Sequence, residues 1–353
     1  MTTPLRLCAV FPHVVLGGGE TAMLEVLAGL AAGMDVAVCA LDNQPLAGEV
    51  TIRAELAARF GRSGDIAFVR RRWELRPRFA RADAVLWYGV VNAVPAVLAA
   101  LPRRPASIRV VHTDRAVDGP GFQRRWGRVI DATVAVSPAV ARRIPGAVFV
   151  PNPVAPERLQ GGRCELFAPG RPTLGWLGRL VPQKNVAWLL DSLPALGCNL
   201  ALQALDTPLQ TAAGLARRAA ALGVGDRVCF LPPGRDVGTL LRSVDALVVA
   251  SRHEGFPMVV VEAGAAGTPV IATRVGALPE LFAAEVLFVD SENGVPSLPG
   301  LRAALARLGP GWGERLRERV ARLCDRDAVV RGYAAVVRAA VEKRERERGR
   351  RGA

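Results

Sequence analysis

The sequence predicts an α/β protein of two doubly wound domains with parallel sheets. Three observations carry that prediction. Short apolar runs rich in β-formers alternate with longer Ala/Leu/Arg-rich stretches along the chain. Runs such as ALVVAS at 246–251 are apolar without alternation, as expected for strands covered on both faces. The chain has 353 residues, half of them apolar, which is too long for one ordinary core and apolar enough for two.

Taken in order, strands are expected at 6–11, 35–41, 66–69, 84–88, 108–112, 132–136 and 147–150, then at 173–178, 200–205, 228–231, 246–250, 269–273 and 285–289. Between the two sets, PNPVAPERLQGGRCELFAPGRP at 151–172 is dense in Pro and Gly with little periodicity. An N-terminal domain of 1–152, a linker of 153–172 and a C-terminal domain of 173–325 follow. A helical stretch of about 314–348 ends the chain. Its part from 326 onward returns to the N-terminal domain and runs into a basic tail, 343–353. No internal sequence repeat is visible.

The net charge is +14, split evenly as +7 over 1–150 and +7 over 151–353. An even spread is unlike a nucleic-acid-binding stripe, so no nucleic acid is expected as partner. The cluster RRRWELRPRFAR at 70–81 stands out. Its arginines with Trp73 and Phe79 fit peripheral contact with an anionic membrane surface, and fit one solvated helix face equally well. The six cysteines form no CxxC, and Cys8, Cys39 and Cys229 fall in strand-like runs, which points to a reducing compartment and away from a zinc site. Residues 5–11 are too short for a signal-peptide core, and the uncharged stretch 86–102 falls short of the ~20 residues of a spanning helix. A soluble cytoplasmic protein is expected.

Parallel sheets bind ligands at the carboxyl ends of their strands. All three histidines, His13, His112 and His253, follow strand candidates. His13 reads as a surface or capping residue. The first strand runs into GGGE at 17–20 with a helix expected from Thr21, a turn that offers backbone N–H groups to an anion or is simply tight. In GWLGRLVPQKN at 175–185, Arg179 and Lys184 follow a strand. Of 46 basic residues only Lys184 and Lys343 are lysines, so a lysine in this loop suggests a point charge aimed at a phosphate oxygen. In EGFPMVVVE at 254–262, Gly255 permits a sharp turn and Pro257 suits a first helical position. The N–H groups of Phe256, Met258 and Val259 are then left free. Capping by Glu254 and a salt bridge at Glu262 are the plain alternatives.

These segments resemble family 4 glycosyltransferases. EGFPMVVVEAGAAGTPVIAT resembles that family's E-x7-E signature, GRLVPQKN its Arg/Lys segment, and GGGE its N-terminal G-G-x-E. VGALPEL at 275–281 and VSP at 136–138 match in order and spacing, so the resemblance runs from about residue 6 to 340. It implies the GT-B fold, two Rossmann-like domains whose parallel sheets face a central cleft. It implies transfer of a sugar from a nucleotide-diphosphate donor, a UDP-sugar, to an acceptor hydroxyl of a glycan or lipid-linked molecule, with retained anomeric configuration and no metal or other cofactor.

Carried over by position, Glu262 would accept hydrogen bonds from the ribose hydroxyls. Glu254 would bind the donor sugar, helped by Gly255 and Phe256 N–H groups, with Pro257 and Met258 completing the donor-binding turn. Arg179 and Lys184 would neutralise the diphosphate. Gly18 and Gly19 would allow close approach to the transferring phosphate, and His112 would contact the donor sugar. The chain departs from the family at Pro232 and Pro233, where Gly is usual, at PNPV, which lacks the frequent Gly and Asp, and at Thr113–Asp114, where an Asp commonly adjoins the histidine. A sugar-nucleotide epimerase, a nucleic-acid-binding protein and a catalytically dead scaffold are the alternatives. The Arg/Lys and E-x7-E pairing opposes the first, the even charge the second, and the full set of donor residues the third.

Overall fold

The computed structural model describes residues 3–42, 51–61, 65–89, 92–112, 120–232, 234 and 236–352. Thr113, Asp114 and Pro233 lie outside the described residues. The chain divides into two compact units, one of 1–45, 51–153 and 326–353, the other of 154–325 with 46–50.

The first unit runs β1 (Arg6–Phe11), α1 (Gly18–Leu30), β2 (Asp35–Leu41), α2 (Arg53–Phe60), β3 (Ile66–Val69), α3 (Arg76–Arg81), β4 (Ala84–Tyr88), α4 (Ala93–Ala99), β5 (Ala106–Val111), α5 (Pro120–Trp126), β6 (Ala132–Ala135), α6 (Pro138–Arg143) and β7 (Val148–Phe149). The second runs β8 (Thr173–Arg179), α7 (Val186–Leu196), β9 (Asn199–Leu205), α8 (Ala212–Ala221), β10 (Val228–Leu231), α9 (Gly238–Ser243), β11 (Ala246–Val249), α10 (Met258–Ala266), β12 (Val270–Thr273), α11 (Leu278–Leu281), β13 (Leu287–Val289), the hairpin β14 (Ser291–Glu292) and β15 (Val295–Pro296), α12 (Leu298–Ala306) and α13 (Trp312–Leu323). Helix α14 (Arg326–Gly352) returns the chain to the first unit.

All thirteen expected strands form. They pair in parallel as β3-β2-β1-β4-β5-β6-β7 and β10-β9-β8-β11-β12-β13. The order reverses between β1 and β4 in one sheet and between β8 and β11 in the other. Those are the crevices where a doubly wound sheet takes its ligand. Burial explains the unalternating runs: every residue of β4, β5, β11 and β12 is buried. Trp87 and Trp176 anchor the two cores.

One device closes the amino ends of the sheets three times. Asp83, Asp131 and Asp245 each precede an alanine that opens a strand, and each accepts a backbone N–H of the neighbouring strand. The donors are Arg6 at 2.9 Å, Ser107 at 2.8 Å and Thr173 at 2.7 Å.

Four expectations are corrected. Helix α1 starts at Gly18, not Thr21, so Gly18 and Gly19 form its first turn. Helix α10 starts at Met258, with Pro257 as its N-cap. The terminal helical stretch is two helices, because Cys324 at the end of α13 leaves helical geometry before α14 begins. Phe79 is fully buried against the α3 side of the core, so of the two aromatics in 70–81 only Trp73, 59% exposed, faces outward. The sequence reading also missed the hairpin β14–β15. Asn293 and Gly294 supply its turn with φ of 52° and 75°, the Asn-Gly signature of a tight hairpin.

The stretch around 153–172 is held to the second unit. Gly161 N–H donates to Asp236 Oδ2 at 3.0 Å, Cys164 N–H to Ser243 Oγ at 2.9 Å, and Arg242 to the Leu159 carbonyl at 2.7 Å. No helix among the described residues is long and apolar enough to cross a membrane.

Helix α14 packs its buried Val329, Tyr333, Val336, Val337, Ala340 and Val341 over the first unit. A Cβ at Gly29 of α1 would lie 2.4 Å from Val330 Cγ2. Val330 is β-branched and stiff in a helix, so it yields little. Gly29→Ala gains up to about 1 kcal/mol of helix propensity but overpacks the contact at a cost of about 1–3 kcal/mol. We expect a lower thermal unfolding midpoint for Gly29→Ala and recovery when Val330→Ala is added. A single variant as stable as the parent would contradict this packing.

Candidate functional site

In the second unit β8 ends at Arg179, and a short 3-10 turn, Pro182–Lys184, leads to α7. Asn185 sits between them in the left-handed region, φ 52°. Its buried Nδ2 donates to the carbonyls of Ala250 at 2.8 Å and Gly294 at 2.7 Å, and its Oδ1 accepts from Arg252 Nε at 3.0 Å. Gln183 Nε2 donates to the His253 carbonyl at 2.7 Å, and Arg252 N–H to the Gln183 carbonyl at 2.8 Å. The loops after β8 and β11 are thus stitched together at the switch point.

On that frame Lys184 Nζ donates to Glu254 Oε1 at 2.5 Å. The pair is largely enclosed: the lysine side chain is only 22% exposed and that of Glu254 10%. Arg179 is exposed and makes no ion pair among the described residues. Phe256, Pro257 and Met258 are buried, and no side chain caps α10. Gly255 has no positive φ. The turn's tight spot is Gly276, φ 56°, where a Cβ would meet the Gly255 carbonyl oxygen at 2.4 Å.

Glu262, the fifth residue of α10, is 2% exposed. Burial pushes its carboxyl above the ordinary 4.5, and Arg158 opposes that shift. Arg158 Nε donates to Glu262 Oε1 at 2.5 Å. This leaves Oε2 for another donor. Arg158 was missed because it lies 104 residues away in a Pro/Gly-rich stretch with no local signal.

The first unit has its own cluster at the carboxyl edge of its sheet. His112 follows β5. Its Nε2 is shielded from solvent and unpartnered, and burial lowers its pKa to about 4, so the ring is neutral near pH 7. Its ring packs edge-on to Tyr88, centroids 5.2 Å apart, and a Cβ at Gly19 would lie 3.6 Å from its Nδ1. Tyr88, the last residue of β4, donates its hydroxyl to Glu20 Oε1 at 2.9 Å. His13 is more than a surface or capping residue, because its Nε2 stands 3.4 Å from the same oxygen. Tyr88 and the partners of Glu20 escaped the sequence reading, since Tyr88 looks like one more core residue of an apolar strand.

The family model for group 1 glycosyl transferases matches residues 171–307. That stretch, less than half of the chain, is what resembles the group 1 family. The D-inositol 3-phosphate glycosyltransferase of Actinosynnema mirum is 32% identical over 196 residues, 49% of this chain and 47% of that protein. The match thus spans about half of that relative's length. HepE of Anabaena, solved in complex with UDP, superposes with a TM-score of 0.76 over 95% of this chain and 100% of its own at 15% identity. Sucrose-phosphate synthase of Thermosynechococcus elongatus superposes with a TM-score of 0.68 over 95% and 98% at 20% identity. The fold is therefore that of GT-B glycosyltransferases.

The Arg158–Glu262 pair yields a pH-dependent prediction. The folded carboxyl has the raised pKa, so the folded chain binds the proton more tightly than the unfolded one. The stability this contributes is full below about 4.5 and is lost as pH rises through the folded value. Removing Arg158 widens that gap and leaves a buried charge, a loss of about 3–5 kcal/mol at neutral pH. Arg158→Ala should therefore melt much lower than the parent at neutral pH and nearer to it in mild acid. Adding Glu262→Gln should flatten the difference. An equal deficit at both pH values would mean that Arg158 acts otherwise than on this carboxyl.

Proposed function

We propose that the chain is a retaining glycosyltransferase that moves a sugar from a nucleotide-diphosphate donor, a UDP-sugar, to an acceptor hydroxyl. The observation that carries this reading is the pairing at the β8/β11 switch point. Within a group 1 glycosyltransferase segment, Lys184 and Arg179 follow one strand, and Glu254 and the uncapped start of α10 follow the other. The UDP found in the HepE complex supports the choice of donor.

In this reading Arg179 and Lys184 take the diphosphate, and charge growing on the leaving group strengthens both contacts. Glu254 accepts hydroxyls of the donor sugar once the lysine turns toward phosphate. The free oxygen of Glu262 accepts from ribose, with Gly255, Phe256, Pro257 and Met258 shaping the turn between. His112, neutral, offers one imidazole N–H and one lone pair to a sugar hydroxyl. Gly18 and Gly19 leave the first turn of α1 bare for close approach. The leaving diphosphate takes the acceptor proton on the same face, so no carboxylate nucleophile and no metal is required. The acceptor class is a lipid-linked or cell-envelope glycan. Trp73, with the Arg71 guanidinium 5.3 Å over its ring, offers a peripheral contact with an anionic membrane at the cytoplasmic face.

A screen of UDP-, GDP- and ADP-sugars in EDTA, read as protection against unfolding and as turnover, tests the reading. We expect a UDP-sugar to protect and to turn over. No response to any of the three, or activity that needs added magnesium or manganese, would overturn it.

Lys184→Ala should lower kcat by roughly 10²–10³ with a modest rise in donor KM. It also leaves Glu254 without its cation, so Lys184→Ala/Glu254→Gln separates the two effects. Stability returns in the double variant while kcat stays low. A Lys184→Ala enzyme with parental kcat/KM would remove the lysine from the diphosphate.

A further inference from the structure

Four glutamates are buried among the described residues: Glu20, Glu25, Glu55 and Glu262. In a chain of net charge +14, three of them have an arginine. Glu25 pairs with Arg59 at 2.5 Å and Arg326 at 3.1 Å, Glu55 with Arg59 at 3.6 Å, and Glu262 with Arg158 at 2.5 Å. Glu20 has none. It is 7% exposed, its Oε1 accepts from Tyr88, and His13 Nε2 stands 3.4 Å from the same oxygen. Its Oε2 makes no hydrogen bond among the described residues. It folds back over the turn, 2.6 Å from where a Cβ at Gly17 would lie. Two shielded imidazole nitrogens without partners, His13 Nδ1 and His112 Nε2, belong to the same cluster. Buried polar atoms are normally satisfied, and a buried carboxylate left without a cation is costly.

A hydroxyl group satisfies this set. An alcohol donates to a carboxylate and accepts from an imidazole N–H, and brings no charge of its own. A phosphate would place anionic oxygens against a carboxylate that no lysine or arginine among the described residues offsets. We propose that Glu20, with Tyr88 and His13 holding it, is an acceptor-recognition residue that seats an uncharged hydroxyl of a sugar or polyol and rejects a phosphomonoester at that position. This rests on the glycosyltransferase reading for the word acceptor alone; the binding preference itself does not depend on donor chemistry. The cluster lies at the β1/β4 switch point of the first unit, where its sheet opens. Tyr88 fixes the side chain through Oε1 and leaves Oε2 to the ligand.

The test uses matched pairs, myo-inositol against D-inositol 3-phosphate and glucose against glucose 6-phosphate, with binding to the full chain followed by ligand-observed NMR titration. Parent protein should prefer the neutral member of at least one pair by about tenfold or more. Glu20→Gln should reduce that preference at least about tenfold. Tyr88→Phe keeps the charge and should keep the preference even if both members bind less well. It also serves where Glu20→Gln fails to fold. Equal or tighter binding of the phosphorylated member by the parent, a preference unchanged in Glu20→Gln, a preference lost in Tyr88→Phe, or no binding of either pair would each overturn the assignment. Protection of the parent by UDP, measured alongside, reports on the donor reading alone. Its failure would remove the transferase and leave a hydroxyl site.

Discussion

Asn185 stands in the left-handed region where the 3-10 turn meets α7, and its buried amide uses both ends. It donates to the carbonyls of Ala250 and Gly294 and accepts from Arg252. Asparagine tolerates that backbone better than most residues. Its side chain therefore fastens together the loop after β8, the loop after β11 and the hairpin turn. Lys184, one residue earlier, has a fixed origin, and its four-carbon stem reaches Glu254 across the point where the strand order reverses. A fixed backbone origin limits what must move to the lysine stem alone, which keeps the cost of aiming its charge small.

The same economy shows in the buried charges. Arginine is abundant in this chain, and its fork satisfies carboxylates that the fold encloses. Glu25 takes two of them, Arg59 from α2 and Arg326 from the start of α14, and so ties the returning helix to α1. Glu262 takes Arg158 from the stretch that enters the second unit. Removing one partner of such a pair leaves a charge without compensation, so each pair fixes a local geometry whatever its net contribution to stability. Against that background, the carboxylate of Glu20 and the pair Lys184–Glu254 differ in kind. The first has no lysine or arginine among the described residues. The second joins two groups that the resemblance gives to different parts of one ligand.

Much of this was legible in the sequence, and the reasons are physical. Apolar runs rich in β-formers mark strands both at the centre of a sheet and, as in the part-buried β3 and β10, at its edge, so 6–11, 35–41, 66–69, 84–88 and 228–231 agree to the residue. The rule that ligands gather at strand ends then pointed to Arg179, Lys184, Glu254 and His112. Helix starts were read less well. A run of glycines was taken for a turn, yet Gly18 and Gly19 are helical, because a first turn needs no internal donors and tolerates residues of low propensity. Proline at 257 was placed inside the helix and instead caps it from outside. The long-range partners were not legible at all. Arg158 meets Glu262, and Tyr88 meets Glu20, across 104 and 68 residues, and nothing in either neighbourhood marks the encounter. The hairpin was a different kind of miss, since Asn293–Gly294 carried its signal openly.

Each unit opens its sheet at the equivalent place, and the electrostatics of the two openings diverge. In the second unit an exposed cation, Arg179, ends the strand at the switch point and a part-buried one, Lys184, follows it, and a helix start without a side-chain cap follows the neighbouring strand. Such an edge attracts an anion. In the first unit Glu20 after β1, Tyr88 at the end of β4 and the neutral His112 after β5 present a carboxylate, a phenol and an imidazole, with no lysine or arginine paired to the acid among the described residues. Such an edge repels an anion and orders hydroxyl groups. The doubly wound architecture supplies the crevice twice. The side chains placed after each strand set whether a crevice's edge favours an anion or a hydroxyl, so one architecture carries two different binding chemistries.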